Sequence, residues 1–421
     1  MRRLAVALVA ALGVSAAAAG PAHAGDPDAP DEPPDAPPIE LPFETPVIEL
    51  YTMGPGELVF EKFGHAALCV VYPSGRPHSR CYNYGTTDFD SVVPLFWGFL
   101  RGRSLFWVST SSPEAMLNYY ADSDRSLWLQ ELDLDREAAR RVARHLAHDA
   151  LEANRYYAYH HYNDNCSTRV RDVIDEATGG ALSAARPGAP DYPSYRELSR
   201  LGFHEWPGML LVSDVLLGRA ADVHPDAYRA MFLPDILRAE VEARLGVIAE
   251  LIEASEGQPD AFQFDADPSG ARWVWIVAAL LLAAPVALAR WHGRRERIAL
   301  AVAFMPLALL ALVLWAIAVV SPLPELRWNE ALLVLVPTDA ALPFLRGSAR
   351  GRYLRVRIAM LALVSALLVF GLFRQPLWLL VPVPLLPLML AAWPTRSDRL
   401  RTGGITGAAL PPEGPTLPDA N

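Results

Sequence analysis

YHHYNDNCSTRVRDVIDEA, residues 159–177, is the stretch on which the reading of this chain depends. Asn163, Asp164 and Asn165 are residue types that cap helix N-termini. After them Val170, Val173, Ile174 and Ala177 recur at helical spacing, with charges between. A helix is therefore expected to begin at Cys166, with the cysteine in its first turn. Backbone N–H groups there lack intrahelical partners, and the helix dipole favours an anion. The thiol is expected to be lowered toward thiolate, the form that attacks carbonyl carbon.

The cysteine count supports a special place for Cys166. The chain has 421 residues and three cysteines, Cys69, Cys81 and Cys166. Cys69 and Cys81 flank Tyr72-Pro73-Ser74-Gly75, a turn signal between two strand-like runs. A hairpin centred on Gly75 sets these two opposite each other, where they can form a disulfide. Cys166 is then the free thiol. In an oxidising compartment a free thiol is a liability unless it has a task.

Export is written at the start. Met1-Arg2-Arg3 is followed by an apolar run and by Ala22-His23-Ala24, so residues 1–24 read as a secretory signal peptide. Residues 25–45 are rich in proline and acids and read as a disordered linker. Residues 46–270 read as a folded domain. Its strands are expected at 47–53, 57–72, 80–86 and 125–134, with helices at 109–121, 135–151 and after Cys166. Residues 196–201, 212–217 and 225–253 are expected to be mostly helical. The net charge of −10 argues against nucleic acid as a partner.

From residue 271 to 394 the chain is apolar. Five membrane spans are expected, at 273–289, 298–320, 331–345, 358–373 and 377–393. The arginines cluster at Arg290 to Arg297, at Arg346 to Arg357 and at Arg396 to Arg401. Positive loops stay cytoplasmic, so this alternation places residues 46–270 outside the inner membrane, in the periplasm. It places the tail, residues 395–421, in the cytoplasm and disordered. Asp339 lies inside the third expected span and is costly there unless it faces protein or water.

Thiol catalysis needs a base near the sulfur and a group that holds the base. His65 lies in the strand-like run LVFEKFGHAALCVVY, after Gly64, which permits close backbone approach. In the same hairpin register Asn83 is a diagonal neighbour on the same face and can fix the imidazole tautomer. Asp164 and Asn165 are expected to cap the cysteine helix, with a secondary place beside an oxyanion. Arg169 and Arg171 are expected to pair with Asp172 and Asp175. His145 and His148 lack the carboxylate-bearing pattern of a zinc helix, and no metal or cofactor is expected.

FGHAAL, YNYGTTDF and YNDNCSTRVRD, in that order, resemble the periplasmic domain of the Lnb-type lipoprotein N-acyltransferases. DVLLGRAAD at 214–222, MFLPDIL at 231–237 and RWNEALLVLVP at 327–337 look like further segments of that family. Histidine before cysteine also resembles the circularly permuted branch of the NlpC-type papain-like fold, shared with lecithin–retinol acyltransferases. The resemblance implies an α+β papain-like domain followed by an all-α membrane domain. It implies Cys166 as nucleophile and His65 as base. The acyl donor it implies is a phospholipid, and the acceptor is the N-terminal amine of a lipoprotein. Two other readings use the same residues: a membrane-bound cysteine peptidase or amidase acting on cell-wall peptides, and an inactive envelope scaffold.

Overall fold

The structure is a computed structural model and describes residues 42–74, 78–89, 91–186, 188–267 and 269–393. The expected signal peptide, the linker up to residue 41, the hairpin centre at Gly75 and the tail lie outside the described residues. The described residues fall into two units. One is drawn from 1–209, 220–268 and 320–327, the other from 210–219, 269–319 and 328–421.

The first unit is an α/β domain built on one antiparallel sheet. Its strands are β1 (Val47–Met53), β2 (His65–Val71), β3 (Arg80–Thr86), β4 (Leu105–Ser111), β5 (Leu127–Leu132), β6 (Tyr156–Ala158) and β7 (Glu250–Glu253). The seven lie in the order β6-β4-β3-β2-β1-β5-β7. β2 reads HAALCVV, apolar without alternation, as a strand covered on both faces does. It pairs with β3 so that Cys69 stands opposite Cys81, and the two are joined in a disulfide.

Helices cover the sheet. α1 (Val92–Leu100) and α2 (Pro113–Asp122) flank β4. Ser112 caps α2 by accepting the Ala115 N–H at 3.2 Å, with Pro113 in the first turn, where its missing N–H costs nothing. Met116 and Tyr120 of α2 pack with Tyr51, Met53, Ala67, Cys69, Cys81 and Leu127. α3 (Arg136–Asp149) starts at Asp135, whose carboxylate accepts the Ala138 N–H at 2.7 Å. Ala138, Val142 and Leu146 of α3 are buried, as their spacing requires. α3 packs on α4 (Cys166–Ala177), which lies against β2 and β3. Leu146 and Ile174 are almost wholly inaccessible. Burial of such a side chain contributes about 1.5–3 kcal/mol.

Some expectations were displaced by tertiary pairing. The run 57–72 is not one strand: Val59–Glu61 is a 3-10 turn and the strand starts at His65. Residues 105–111 form β4, of which only the last three fell within an expected element, a helix over 109–121. Within 225–253, expected to be helical, Ala227–Ala230 is α7, after α5 (Tyr195–Gly202) and α6 (Pro207–Leu216), and Pro234–Leu245 is α8. Glu250–Glu253 instead becomes the edge strand β7 beside β5.

The second unit is mostly helical: α9 (Trp273–His292), α10 (Glu296–Val320), α12 (Gly347–Val369) and α13 (Pro382–Ala392), with the short α11 (Pro324–Arg327) lying in the first unit. Among the described residues two helices, α9 and α10, are long and apolar enough to cross a membrane, where five spans were expected. The third expected span is instead two 3-10 turns, Glu330–Leu333 and Pro337–Ala341, because Pro337 and Pro343 interrupt it. The first half of α12 carries Arg350, Arg352, Arg355 and Arg357, which leaves its apolar part short. The fifth is a 3-10 turn followed by α13, 11 residues long. Asp339 is buried and accepts both Nε and a terminal nitrogen of Arg357, each at 2.9 Å, and the Tyr353 hydroxyl at 2.8 Å. An ion pair thus supplies the partner that an acid among apolar helices requires.

Candidate active site

Cys166 is placed by its neighbour. Asn165 caps α4: its Oδ1 accepts the Thr168 N–H at 2.9 Å, and its own N–H donates to Thr168 Oγ1 at 2.8 Å. Its Nδ2 donates to the carbonyls of His161 (2.8 Å) and Phe232 (2.9 Å). Ser167 donates to the Met231 carbonyl at 2.7 Å, so the start of the helix is fastened to residues 231–232. With Nδ2 donating to two carbonyls, Asn165 fastens the start of the helix to both neighbouring segments. Asp164 does not cap. Its carboxylate forms a two-pronged pair with Arg169 at 2.6 and 3.0 Å, in place of the pairing expected for Arg169. Arg171 does pair with Asp172, at 2.6 Å.

His65 opens β2 directly after Gly64. That glycine holds φ of +78°, and a Cβ on it would stand 2.7 Å from the Met53 carbonyl oxygen, so no larger residue fits. The imidazole stacks on Tyr120, ring centres 6.0 Å apart. Its Nε2 is buried and makes no hydrogen bond. Asn83 favours the protonated ring, although its own Oδ1 is buried without a partner.

Gly85 brings the two sides together. Between Asn83 and Thr86 the β3–β4 register slips, a bulge, and Gly85 in it holds φ of +94°. A Cβ built there would stand 3.4 Å from Cys166 Cβ, 3.9 Å from His65 Cε1 and 4.0 Å from the Tyr157 hydroxyl. The side chains of Cys166, His65 and Tyr157 therefore all approach one residue without a side chain. The Ala66 N–H, next to His65, and the Ser167 N–H both favour the Cys166 thiolate.

The electrostatics differ from the sequence reading in sign. Burial pushes the Cys166 thiol up, ahead of the amides and Arg125, which pull it down. Burial, aided by the Arg125 charge, takes His65 down to about 3. Desolvation disfavours the charged form of each. At neutral pH the pair is thiol and imidazole, not thiolate and imidazolium.

Sequence reasoning missed three contributors. Arg125 is buried, donates Nε to the Gly54 carbonyl at 3.0 Å and lies over the Tyr120 ring at 5.1 Å. Tyr157 is buried, its hydroxyl without a partner, and the Arg169 guanidinium covers its ring at 3.9 Å. Gly85 was visible only as a letter in YNYGTTDF. A three-residue strand, β6, places Tyr157 and gives no periodic signal. The other histidines have separate tasks. His145 lies 3.5 Å from both Asp149 and Glu176, and His161 packs among Phe63, Tyr162 and Phe232.

Residues 40–200 match the family model described as the Lnb N-terminal periplasmic domain. Over those residues the chain is similar to the periplasmic domain of Lnb-type proteins. His65, Asn83, Gly85, Tyr157 and Cys166 all lie inside the matched Lnb domain. No curated protein and no solved structure matches the chain. A periplasmic Lnb domain joined to two helices able to span a bilayer fits a protein of the cell envelope held at the inner membrane.

Proposed function

We propose that this protein is a membrane-anchored periplasmic thiol acyltransferase, moving an acyl chain from a phospholipid to the N-terminal amine of a lipoprotein through a thioester on Cys166. The observation that carries the reading is the grouping of Cys166, His65 and Tyr157 around Gly85. Histidine strand before cysteine helix also fits a circularly permuted papain-like arrangement.

Sulfur attacks the ester carbonyl carbon while the unpartnered Nε2 of neutral His65 takes the thiol proton. The tetrahedral oxyanion collapses, the glycerol C–O bond breaks, and His65 returns its proton to the leaving alkoxide. A lysophospholipid departs and the acyl chain stays on sulfur. The lipoprotein amine then attacks the thioester, His65 takes the amine proton, and the C–S bond breaks. The sulfur regains a proton from His65 and an amide has formed. Asn83, which favours the protonated ring, stabilises the imidazolium between steps. The apolar helices keep the domain beside its lipid substrate and raise the effective concentration.

The test is intact-mass analysis of the full chain in phospholipid nanodiscs. An acyl adduct on Cys166, released by hydroxylamine, is expected in the wild type and absent in Cys166→Ala. Its absence from the wild type, or its persistence in Cys166→Ala, removes the thioester reading.

A further inference from the structure

We infer that α1 and the aromatic residues beside it form a surface that inserts into the periplasmic face of the phospholipid bilayer. α1 reads VVPLFWGFL, nine residues without a charge or a hydrogen-bonding side chain other than the indole. Leu95 and Leu100 are buried, and the opposite face does not turn polar as a solvated helix face does. Val93 is 64% exposed, Phe96 58% and Trp97 50%. Phe60 and Phe89, both exposed, extend the patch, their rings 5.5 Å apart. Contiguous exposed apolar surface of this kind marks a binding site.

Two observations select a lipid surface as the occupant. The helix ends in Arg101-Gly102-Arg103, both arginines exposed, which suits lipid phosphates beside an inserted apolar wedge. The same turn is tethered at the membrane exit. Gly102 holds φ of +60°, and a Cβ on it would stand 3.0 Å from Leu323 and 3.2 Å from Pro322. Leu323 lies three residues past Val320, the end of α10. Three residues of chain reach at most about 10 Å, so the turn is held near the level at which that span leaves the bilayer. Trp97 and the phenylalanines are the residue types favoured at that depth.

From this surface an aromatic series runs inward. Phe60 meets Phe99 at 6.3 Å, and Phe99 meets Tyr159 at 5.5 Å, at the loop that leads to Cys166. The inference stands whether or not acyl transfer is the chemistry, since it concerns only where α1 lies.

Spin labels test it. Val93→Cys and Phe96→Cys are each labelled in the full chain carrying Cys166→Ala, in nanodiscs of phosphatidylcholine and phosphatidylglycerol. Asp133→Cys, on an exposed loop, serves as the water-facing control. Collisions with oxygen are compared with collisions with a water-soluble nickel chelate. At 93 and 96 oxygen is expected to dominate, so that the logarithm of the oxygen-to-nickel ratio has the opposite sign from that at 133. A ratio at 93 and 96 equal to the control overturns the proposal, as the surface then faces water. Shielding from both reagents also overturns it, because protein then covers the patch: a second copy or a protein partner. The labelled positions are exposed, so the substitutions leave the core packing intact, and retention of the wild-type unfolding midpoint is checked alongside.

Discussion

Gly85 lies against Cys166, with only 3.4 Å between a Cβ built on the glycine and that of the cysteine. Its φ of +94° is a backbone state that side chains resist, at about 1–3 kcal/mol. Gly85→Ala is expected to lose stability of that order. It also presses on the ground between thiol and imidazole. Misplacement of about 1 Å near reacting atoms costs up to about a hundredfold in rate, so the acyl adduct should form at least about ten times more slowly. Unfolding midpoint and adduct rate, measured together, check this. An unchanged rate removes Gly85 from the site.

What could be read from the sequence was mostly local. The strand-like runs around Cys69 and Cys81 do pair with those two residues opposite each other, and Asp135 and Asn165 marked helix starts that the structure keeps. What escaped was nonlocal. Glu250–Glu253 becomes a strand only because β5 lies beside it. The sign of the Cys166 shift escaped because helix amides belong to the residue's own turn, whereas burial is supplied by β2, β3 and residues 231–232. Asp164 looked like a cap, and an arginine one turn later took its carboxylate. Apolar composition alone also does not show where Pro337, Pro343 and the arginines of α12 interrupt a helix, and two of the five expected spans are matched by long apolar helices.

A neutral thiol–imidazole pair has its own pH signature. His65 titrates near 3, well under the ordinary 6.5. Adduct formation should therefore stay level as pH falls through 6.5 and decline only in stronger acid. An imidazolium–thiolate pair would instead lose activity as its low-pKa thiolate is protonated. Arg125 contributes to the depression, so Arg125→Met is expected to move the acid limb upward while Arg125→Lys leaves it in place. Single-turnover rates across pH 4–8 separate these outcomes, with the rescue by lysine excluding a purely structural effect.

His161 is expected to make the fold acid-sensitive. Burial among aromatic rings takes it to about 4, against 6.5 when unfolded. Below the unfolded value the unfolded chain binds the proton more readily, so stability falls as pH drops from about 6.5 toward 4, by on the order of a few kcal/mol. His65 adds to the same trend. Phe63, Tyr162 and Phe232 lie 4.6, 4.9 and 5.6 Å from the His161 ring, and a phenyl group suits that cage. His161→Phe should flatten the decline of the unfolding midpoint between pH 6.5 and 4. A slope equal to wild type would assign the sensitivity elsewhere.

Tyr157 separates stability from reactivity. Its hydroxyl has no partner in good geometry, only a weak approach of the Gly85 backbone, so Tyr157→Phe should shift stability by no more than about 1 kcal/mol. The hydroxyl nevertheless approaches Gly85, as Cys166 and His65 do, and on the proposed chemistry it can donate to an ester oxyanion there. A lost oxyanion donor typically costs about a hundredfold or more, and even an indirect donor should cost about tenfold. Adduct rates at saturating lipid read the difference. A Tyr157→Phe enzyme as fast as wild type would leave the phenol as packing alone.

Asp339 and Arg357 test whether an acid among apolar helices is structural. Both are nearly inaccessible, at 2% and 3% exposure, and their two hydrogen bonds leave no oxygen unpartnered. Removing one partner strands a buried charge, at about 3–5 kcal/mol. Asp339→Leu should therefore lower the unfolding midpoint in detergent more than Asp339→Leu combined with Arg357→Met, which replaces the pair by apolar groups. Adduct formation in the double variant should remain near wild type, since every group assigned to the chemistry lies in residues 65–166. Loss of adduct formation despite a restored midpoint would move Asp339 from the architecture to the reaction.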